Sequence, residues 1–279
     1  MPTDVKKLFD LTGRVAIITG GAGLLGTRHA TAIAESGGHP VLADLSAEAA
    51  VAAAARITEA TGVDAMGIRV DVTVKAEVEA MVQEVLDRFG QIDILINNAA
   101  LTVEAGSSAA KDYFAAFEDY PLDLWERALQ VNLTGAFLCS QAVGRVMVRQ
   151  GRGVVLNIAS DVGNISPDHR IYRGVVNPYS KEPFNSPIGY ATTKAGLINF
   201  TRYLATYWAD KGIRVNALSP AGVYDGHERR FVENLTRLIP LGRMADRDEY
   251  RGAVLFLVSD ASSYMTGANL VVDGGRTAW

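Results

Sequence analysis

The sequence predicts a single α/β domain over residues 1–279, a doubly wound, seven-stranded parallel sheet flanked by helices. Three observations predict it. Short β-branched runs alternate with longer stretches of helical periodicity along the chain, the order that builds strand–helix–strand units with right-handed crossovers. The runs are apolar almost throughout instead of alternating with polar residues, as strands covered on both faces must be. A chain of 279 residues, 48% of them hydrophobic, also has the apolar surface for one large core.

Taken in order, strands are expected at 15–19, 40–44, 65–71, 93–97, 153–160, 214–219 and 269–273, and helices at 24–36, 47–61, 74–89, 124–150, 189–211 and 246–259. The alanine-rich run at 47–55 reads as an ordinary helix, and Asp123 with Glu126 three residues later reads as a helix-start box. No internal repeat is present. Two stretches lack a clear period: 101–122, after the fourth strand, and 161–188, after the fifth. Both leave the carboxyl ends of strands, where open α/β sheets bind ligands, and long irregular segments in compact domains are often functional. They are assigned to a substrate pocket; surface decoration or a contact between copies is the other reading.

Composition narrows the function. A net charge of −4 and a pI near 5.6 give no surface for a polyanion, so nucleic acid is not expected as a partner. The single cysteine, Cys139, cannot form an internal disulfide, and it falls in an apolar helical run. The opening MPTDVKKLFDL has no apolar signal core, and no apolar run is long enough to span a bilayer. A cytoplasmic protein with no membrane partner is therefore expected. His29, His39, His169 and His227 are scattered without ligand spacing, so no metal is expected.

Between the first strand and first helix lies Gly21-Ala22-Gly23-Leu24-Leu25-Gly26, a G-x-G-x-x-G in the strand–turn–helix context of a Rossmann nucleotide site. Glycines allow the tight turn and close backbone approach, and the helix start offers unpaired N–H groups to a pyrophosphate. Asp44 ends the second strand about 20 residues on, at the interval expected for a carboxylate that accepts from ribose hydroxyls. That carboxylate would repel a 2′-phosphate, and Leu45, Ser46 and Ala47 bring no cation to hold one, so NAD is preferred over NADP. Asp71-Val72 and the run Asn97-Asn98-Ala99-Ala100 add polar strand ends on the same edge: Asp71 could meet the adenine amino group, and Asn97 and Asn98 could tie strand ends together.

Tyr190 and Lys194 are four residues apart on a predicted helix and share one face. A phenol titrates near 10; a nearby ammonium and a positive nicotinamide ring would favour phenolate and let Tyr190 act as an acid/base near neutral pH. Ser160, at the end of the fifth strand, could bind a substrate oxygen near Tyr190. Asn132 lies inside an otherwise apolar helical run, where it could bend the helix and hold a water that links Lys194 to solvent.

Together, Thr19-Gly20 with Gly23 and Gly26, Asp44, Asp71, the Asn97-Asn98-Ala99 run, Asn132, Ser160, Tyr190, Lys194, Asn216 and Pro220-Ala221-Gly222 resemble the short-chain dehydrogenase/reductase family, from Arg14 to about Gly275. The resemblance implies a catalytic tetrad of Asn132, Ser160, Tyr190 and Lys194. In it Tyr190 is the acid/base and Lys194 binds the nicotinamide ribose and lowers the Tyr190 pKa. Ser160 orients substrate, and Asn132 positions a proton-relay water. It implies a dinucleotide held by Gly20, Gly23, Leu24, Leu25, Gly26, Asp44, Leu45, Asp71, Val72, Asn98, Ala99, Tyr190, Lys194, Pro220, Gly222 and Val223. The last strand, running from Thr266 to Gly275, commonly packs against other subunits in the family, which implies a homotetramer or homodimer.

Four features depart from the pattern. Leu24 occupies the usual middle glycine, so Thr19–Gly26 fits the T-G-x-x-G-x-x-G of sugar-nucleotide epimerases and dehydratases. Ala100 replaces the glycine of N-N-A-G, and Ala221 the first glycine after Pro220. The interval from Ser160 to Tyr190 is longer than usual and holds Asp168, His169, Arg170, Tyr172, Tyr179 and Lys181. Three runs, 168–172, 201–208 and 240–244, are similar to flagellin modification protein A-like oxidoreductases and to gluconate 5-dehydrogenases. They point to a sugar, sugar-acid or activated-sugar substrate, for which His169, Arg170 and Arg173 would supply charge toward an anionic group; charges facing water are the alternative. The leading expectation is an NAD(H)-dependent oxidoreductase that interconverts a secondary alcohol and a ketone. The other two readings are an epimerase or dehydratase with tightly bound NAD, and a non-catalytic NAD-binding protein.

Overall fold

A computed structural model describes residues 4–103, 108–177 and 181–279. Seven parallel strands form one sheet in the order β3-β2-β1-β4-β5-β6-β7. They are β1 (Val15–Thr19), β2 (His39–Asp44), β3 (Met66–Arg69), β4 (Ile94–Asn97), β5 (Gly153–Ile158), β6 (Ile213–Pro220) and β7 (Asn269–Val272). The strand order reverses between β1 and β4, which opens a crevice at their carboxyl ends.

The continuous apolar runs have the cause the sequence suggested. Residues alternate between two cores, one on each face. Val15 and Ile17 of β1, with Leu95 and Val155, pack against α3 (Lys75–Phe89), α6 (Gly135–Gln150) and α7 (Ile188–Tyr207). Ala16 and Ile18, with Ile94, Ile96 and Leu156, pack against α1 (Leu24–Glu35), α2 (Ala47–Thr61) and α9 (Arg251–Val258). Cys139 and Trp208 sit in the first core.

The remaining helices are α4 (Ala110–Tyr113), α5 (Leu122–Leu129) and α8 (Arg229–Thr236). The expected helix 124–150 is divided. A π-helical turn, Gln130–Thr134, separates α5 from α6, and Asn132 lies inside it. The expected Asp123–Glu126 start box does not form. Pro121 occupies the cap position with φ −63°, no side chain caps the end, and Asp123 falls in the first turn. The helix expected from 246 starts at Arg251, and the one expected to reach 211 ends at Tyr207, followed by a 3-10 turn, Ala209–Lys211. Helices α4 and α8 were not foreseen. Strands β3 and β5 stop short of 71 and 160, so Asp71 and Ser160 lie just beyond the sheet. Parts of the two irregular stretches, and Tyr179, lie outside the described residues.

Candidate active site

The turn after β1 is built by contact. Gly20 takes φ +62°, and a Cβ on Gly26 would collide with the Gly20 carbonyl oxygen, so a larger residue would push α1 off the turn. Gly23 caps α1 with no side-chain hydrogen bond. The first-turn N–H groups of Leu24, Leu25 and Gly26 therefore have no intrahelical acceptor, at the positive end of the helix. Asp44 ends β2 beside this turn: its Oδ2 accepts from Ala22 N at 3.0 Å and its Oδ1 from Ser46 N at 3.2 Å.

Further along the edge, the Asp71 Oδ1 accepts from the Thr73 hydroxyl at 2.7 Å and the Thr73 N–H at 2.9 Å. These bonds hold the Asp71 carboxyl below its ordinary range, the hydroxyl contributing most. Leu45 and Asp71, with Arg127 and Gln130 opposite, line a hollow of about 620 Å³, and Val72 is buried. Asn98 Nδ2 donates to the Thr19 and Gly20 carbonyls at 2.9 and 3.1 Å, and the N–H groups of Asn98 and Ala99 both donate to Thr19 Oγ1 at 3.0 Å. Asn97 Nδ2 donates to Asn157 Oδ1 at 2.8 Å. The asparagines thus lash strand ends together. After Pro220, Ala221 accepts from the Tyr250 hydroxyl at 3.0 Å, and Val223 bridges to Ala245, with Gly222 accepting from Ala245 N.

The crevice suits a dinucleotide: an uncapped helix start above a glycine turn, a carboxylate at the second strand end, and a hollow beyond it. Features of that kind can take the phosphates, ribose and base of a dinucleotide in sequence along one sheet edge.

Ser160, Tyr190 and Lys194 gather past β5, and Asn132 is tied to the same helix through Thr193. Lys194 is 2% exposed; its Nζ donates to the Ile158 carbonyl at 2.6 Å and lies 5.5 Å from the centre of the Tyr190 ring. Desolvation brings its pKa down to about 8. Tyr190 is half-buried, yet burial pushes its phenol up to about 12; the Ser160 hydroxyl works against this and the Asp161 charge adds to it. Desolvation is the largest influence on Tyr190 in the protein alone; the positive nicotinamide ring, the other half of the expected acidification, acts only with the cofactor bound. Asn132 is buried; its Oδ1 accepts from Leu101 N at 2.6 Å and its Nδ2 donates to Thr193 Oγ1 at 2.9 Å. That side chain joins the segment after β4 to α7, one residue from Lys194.

His169, Arg170 and Arg173 are placed elsewhere. All three are exposed, in or beside a 3-10 turn, His169–Tyr172. Arg170 Nη2 and Nε grip the Asp168 carboxylate at 2.6–3.0 Å, which draws the Asp168 pKa down to about 2. Arg170 and Arg173 line a separate hollow of about 290 Å³ with Asn234 and Arg237 of the α8 region. Among the described residues no hydrogen bond or ion pair joins these three to the tetrad.

Sequence reasoning missed three residues that approach the site. Tyr113 of α4 is buried, which raises its pKa, with Tyr190 near enough to add to the rise, and its hydroxyl donates to the Leu101 carbonyl at 3.1 Å. Asp161 and Arg276 form a buried ion pair at 2.5 Å beside Ser160. A carboxylate directly after a candidate serine was the available signal for Asp161; nothing local marked Arg276. The two irregular stretches do pack on one another: Phe114 meets Phe184 edge-on at 4.8 Å, Tyr172 stacks with Phe184 and Phe231, and Asn177 donates to the Ala110 carbonyl. Among the described residues no three His, Cys, Asp or Glu side chains gather as a metal site would, and no helix is long and apolar enough to cross a membrane.

Comparison with known proteins agrees with this geometry. Residues 14–172 match the short chain dehydrogenase family, and residues 180–277 match a family described as enoyl-(acyl carrier protein) reductase. D-threitol dehydrogenase of Mycolicibacterium smegmatis is 35% identical over 96% of this chain and 95% of its own length. NAD-dependent glycerol dehydrogenase of Listeria innocua is 32% identical over 97% and 96%. A gluconate 5-dehydrogenase from Burkholderia cenocepacia, solved with NADP and tartrate, superposes with a TM-score of 0.85 at 31% identity, covering 99% of this chain and all of that one.

Proposed function

The chain belongs to the short-chain dehydrogenase family, and from that premise we propose that it is an NAD(H)-dependent oxidoreductase interconverting a secondary alcohol and a ketone on a polyol or sugar-acid substrate, with Tyr190 as the acid/base. The observation that carries this is the convergence of Tyr190 and the buried Lys194 on one face of α7, with the Lys194 ammonium 5.5 Å from the centre of the Tyr190 ring and Ser160 near enough to act on the phenol.

The nicotinamide cofactor, when bound, takes up or supplies the hydride. The protein's part is the proton and the geometry. Tyr190 exchanges a proton with the substrate oxygen, and Ser160 holds that oxygen beside it. Lys194, anchored on the Ile158 carbonyl, keeps two N–H donors for ribose hydroxyls, and its charge favours phenolate as the substrate alcohol gives up its proton. Asn132 acts through structure. Its amide fixes Leu101 and Thr193, so its contribution is the position of α7 and, through the π turn, the shape of the relay path behind Lys194.

Gly20, Gly23, Leu24, Leu25 and Gly26 would hold the pyrophosphate, Asp44 and Leu45 the adenosine ribose, Asp71 and Val72 the adenine, and Asn98, Ala99, Pro220, Gly222 and Val223 the nicotinamide side. Asp44, fixed by Ala22 and Ser46, carries the preference for NAD. The aromatic wall of Phe114, Tyr172 and Phe184 closes the substrate end. Polyol relatives favour a neutral or weakly anionic substrate there, with Arg170 and Arg173 reserved for an anionic tail that reaches their hollow. Copies would associate through the outer faces of α6 and α7, where Phe137, Val148, Tyr203 and Tyr207 are exposed, and light scattering reads the resulting mass.

NADH formation from NAD+, and NADPH from NADP+, against threitol, glycerol, xylitol, gluconate and sugar phosphates tests the reading. Reduction of NAD+ by a polyol or sugar acid is expected; no turnover across the panel with either cofactor would overturn it.

A further inference from the structure

Tyr250 and the segment before it, which carries the run 240–244, take no part in the chemistry derived above, yet they grip the chain as it leaves β6. Pro220 is the last residue of β6 and pairs with Val272. Ala221 N still donates to the Val272 carbonyl at 3.2 Å, and beyond it the chain leaves the sheet. Ala221, which stands where the family carries glycine, sits without strain, because among the described residues Lys181 is the one non-glycine residue with positive φ. Three bonds then hold the segment. The Tyr250 hydroxyl donates to the Ala221 carbonyl at 3.0 Å. Ala245 N donates to the Gly222 carbonyl at 3.2 Å, and Tyr224 N donates to the Ala245 carbonyl at 2.9 Å, so that Val223 forms a parallel bridge with Ala245. Along an extended chain successive peptide groups alternate in direction, so the Val223 N–H and C=O point away from Ala245. Neither they nor the Gly222 N–H has a hydrogen-bond partner among the described residues. Free backbone donors and an acceptor on a fixed segment can bind a carboxamide, which carries both kinds of group.

The grip is itself anchored. Tyr250 is 1% exposed and shares the second core with Ile158 of β5, Leu218 of β6 and Val254 of α9, so its ring cannot turn away without opening that core. Ala245 lies inside a clasp: Arg243 Nη1 and Nη2 both donate to the Glu249 carboxylate at 2.6 Å, and Glu249 also accepts from Asp246 N at 2.7 Å. A buried hydroxyl costs free energy unless it is bonded, and a phenyl ring would fill this core equally well. The oxygen on Tyr250 therefore has one use on view, the Ala221 carbonyl.

We propose that Tyr250 is a positioning residue for the nicotinamide end of the cofactor: its hydroxyl, together with the Ala245 bridge, holds the Gly222 and Val223 peptide groups in place for the carboxamide. This rests on the segment after Pro220 being the nicotinamide side. Tyr250 touches no reacting atom and acts through the Ala221 carbonyl. The pyrophosphate and adenosine ends belong to the turns after β1, β2 and β3, none of which Tyr250 bonds among the described residues. Loss of the hydroxyl therefore weakens the hold on one end of a dinucleotide and spares the other.

The test compares two ligands by calorimetry: NADH, and ADP-ribose, which lacks the nicotinamide. In Tyr250→Phe the Kd for NADH is expected to rise about fivefold, the net effect of one neutral hydrogen bond, while the Kd for ADP-ribose stays within about twofold of the parent value. Hydrogen exchange of the peptide carrying residues 221–224 should quicken in the free variant. Val254→Ala, which loosens the same core without touching the segment, should lower the melting temperature and leave both Kd values in place. Tyr250→Phe removes one oxygen and keeps the ring. Should it fail to fold by circular dichroism, Arg243→Gln, at an exposed position, opens the clasp around Ala245 and carries the same reading, with the NADH Kd rising and the ADP-ribose Kd unmoved. Equal changes for the two ligands, an unmoved NADH Kd in the folded variant, or the same selective loss in Val254→Ala would overturn the proposal. The reading beneath it is tested in the parent protein. If NADH protects the 221–224 peptide from exchange no more than ADP-ribose does, that segment is not the nicotinamide side; extra protection by NADH with an unmoved Kd in Tyr250→Phe removes only the Tyr250 role.

Discussion

The β1–α1 turn and the cluster past β5 face the same edge of the sheet, yet they are held together differently. The turn is backbone architecture. Its shape comes from glycines that let α1 sit on the Gly20 carbonyl, and its nearest side-chain support is Asp44 bonding to Ala22 N. The tetrad is side-chain architecture. Asn132 reaches Leu101 and Thr193, Lys194 reaches Ile158, and Asp161 reaches Arg276 across the chain. A backbone cradle can bind any pyrophosphate, whereas a side-chain cluster fixes where one proton lies. Damage to the first should appear in cofactor choice and affinity, and damage to the second in folding of the site and in rate.

The largest expected effect on stability lies in the side-chain region. Asn132→Ala leaves the part-buried Leu101 N–H without its acceptor and removes a bond from the buried Thr193 hydroxyl, which still donates to the Gly189 carbonyl, at a cost of about 3 kcal/mol. Urea unfolding should show the lowered midpoint, and an unchanged midpoint would mean that the π turn is held by packing alone.

His29 on α1 belongs to the backbone-built side and gives an effect of similar size, but only in acid. It is fully buried, with neither ring nitrogen hydrogen-bonded, and desolvation brings its pKa down from the ordinary 6.5 to about 4. The unfolded chain binds the proton first. Stability is therefore full above about pH 6.5 and falls as pH drops toward 4, by up to about 3 kcal/mol. His29→Leu should flatten that part of a stability–pH curve; a curve of unchanged slope would show that other groups dominate.

Much of this contrast was legible in the sequence. Seven apolar runs gave the strands because each is covered on both faces, and the glycine turn and Asp44 are local patterns whose geometry follows from nearby residues. Tyr190 and Lys194 were readable because helical spacing alone puts them on one face. What escaped was set by distance in the chain. Arg276 meets Asp161 only after β7 is laid beside β6, and Tyr113 approaches Tyr190 only once α4, inside the first irregular stretch, is tied to the second by Asn177. The charges of His169, Arg170 and Arg173 were visible, but their direction was not, because the turn that carries them is pinned by Asn234 of α8, whose amide holds the Ile171 and Arg173 carbonyls, and α8 has too short an apolar pattern to stand out.

Smaller effects sharpen the comparison on its cofactor side. Asp44→Asn keeps an acceptor for Ala22 N but removes the charge, so the ratio of kcat/KM for NADP+ over NAD+ should rise roughly tenfold, one charge–charge interaction of about 1.4 kcal/mol in a partly solvated site. An unchanged ratio would move the selectivity elsewhere. The smallest effect belongs to Arg170→Ala. Its ion pair with Asp168 is exposed, so KM for a neutral polyol should not change, while KM for a sugar phosphate rises if the hollow beside α8 takes an anion. Equal values for both substrates would leave Arg170 as a surface charge.

The proposed chemistry turns on one phenol. Wild-type protein and Tyr190→Phe, both shown to bind NADH equally by fluorescence, are compared for initial NADH formation from NAD+ and the best polyol of the panel. Loss of the acid/base hydroxyl predicts a fall in kcat of about 10³ with cofactor binding intact. Turnover by the phenylalanine variant at the wild-type rate would contradict it.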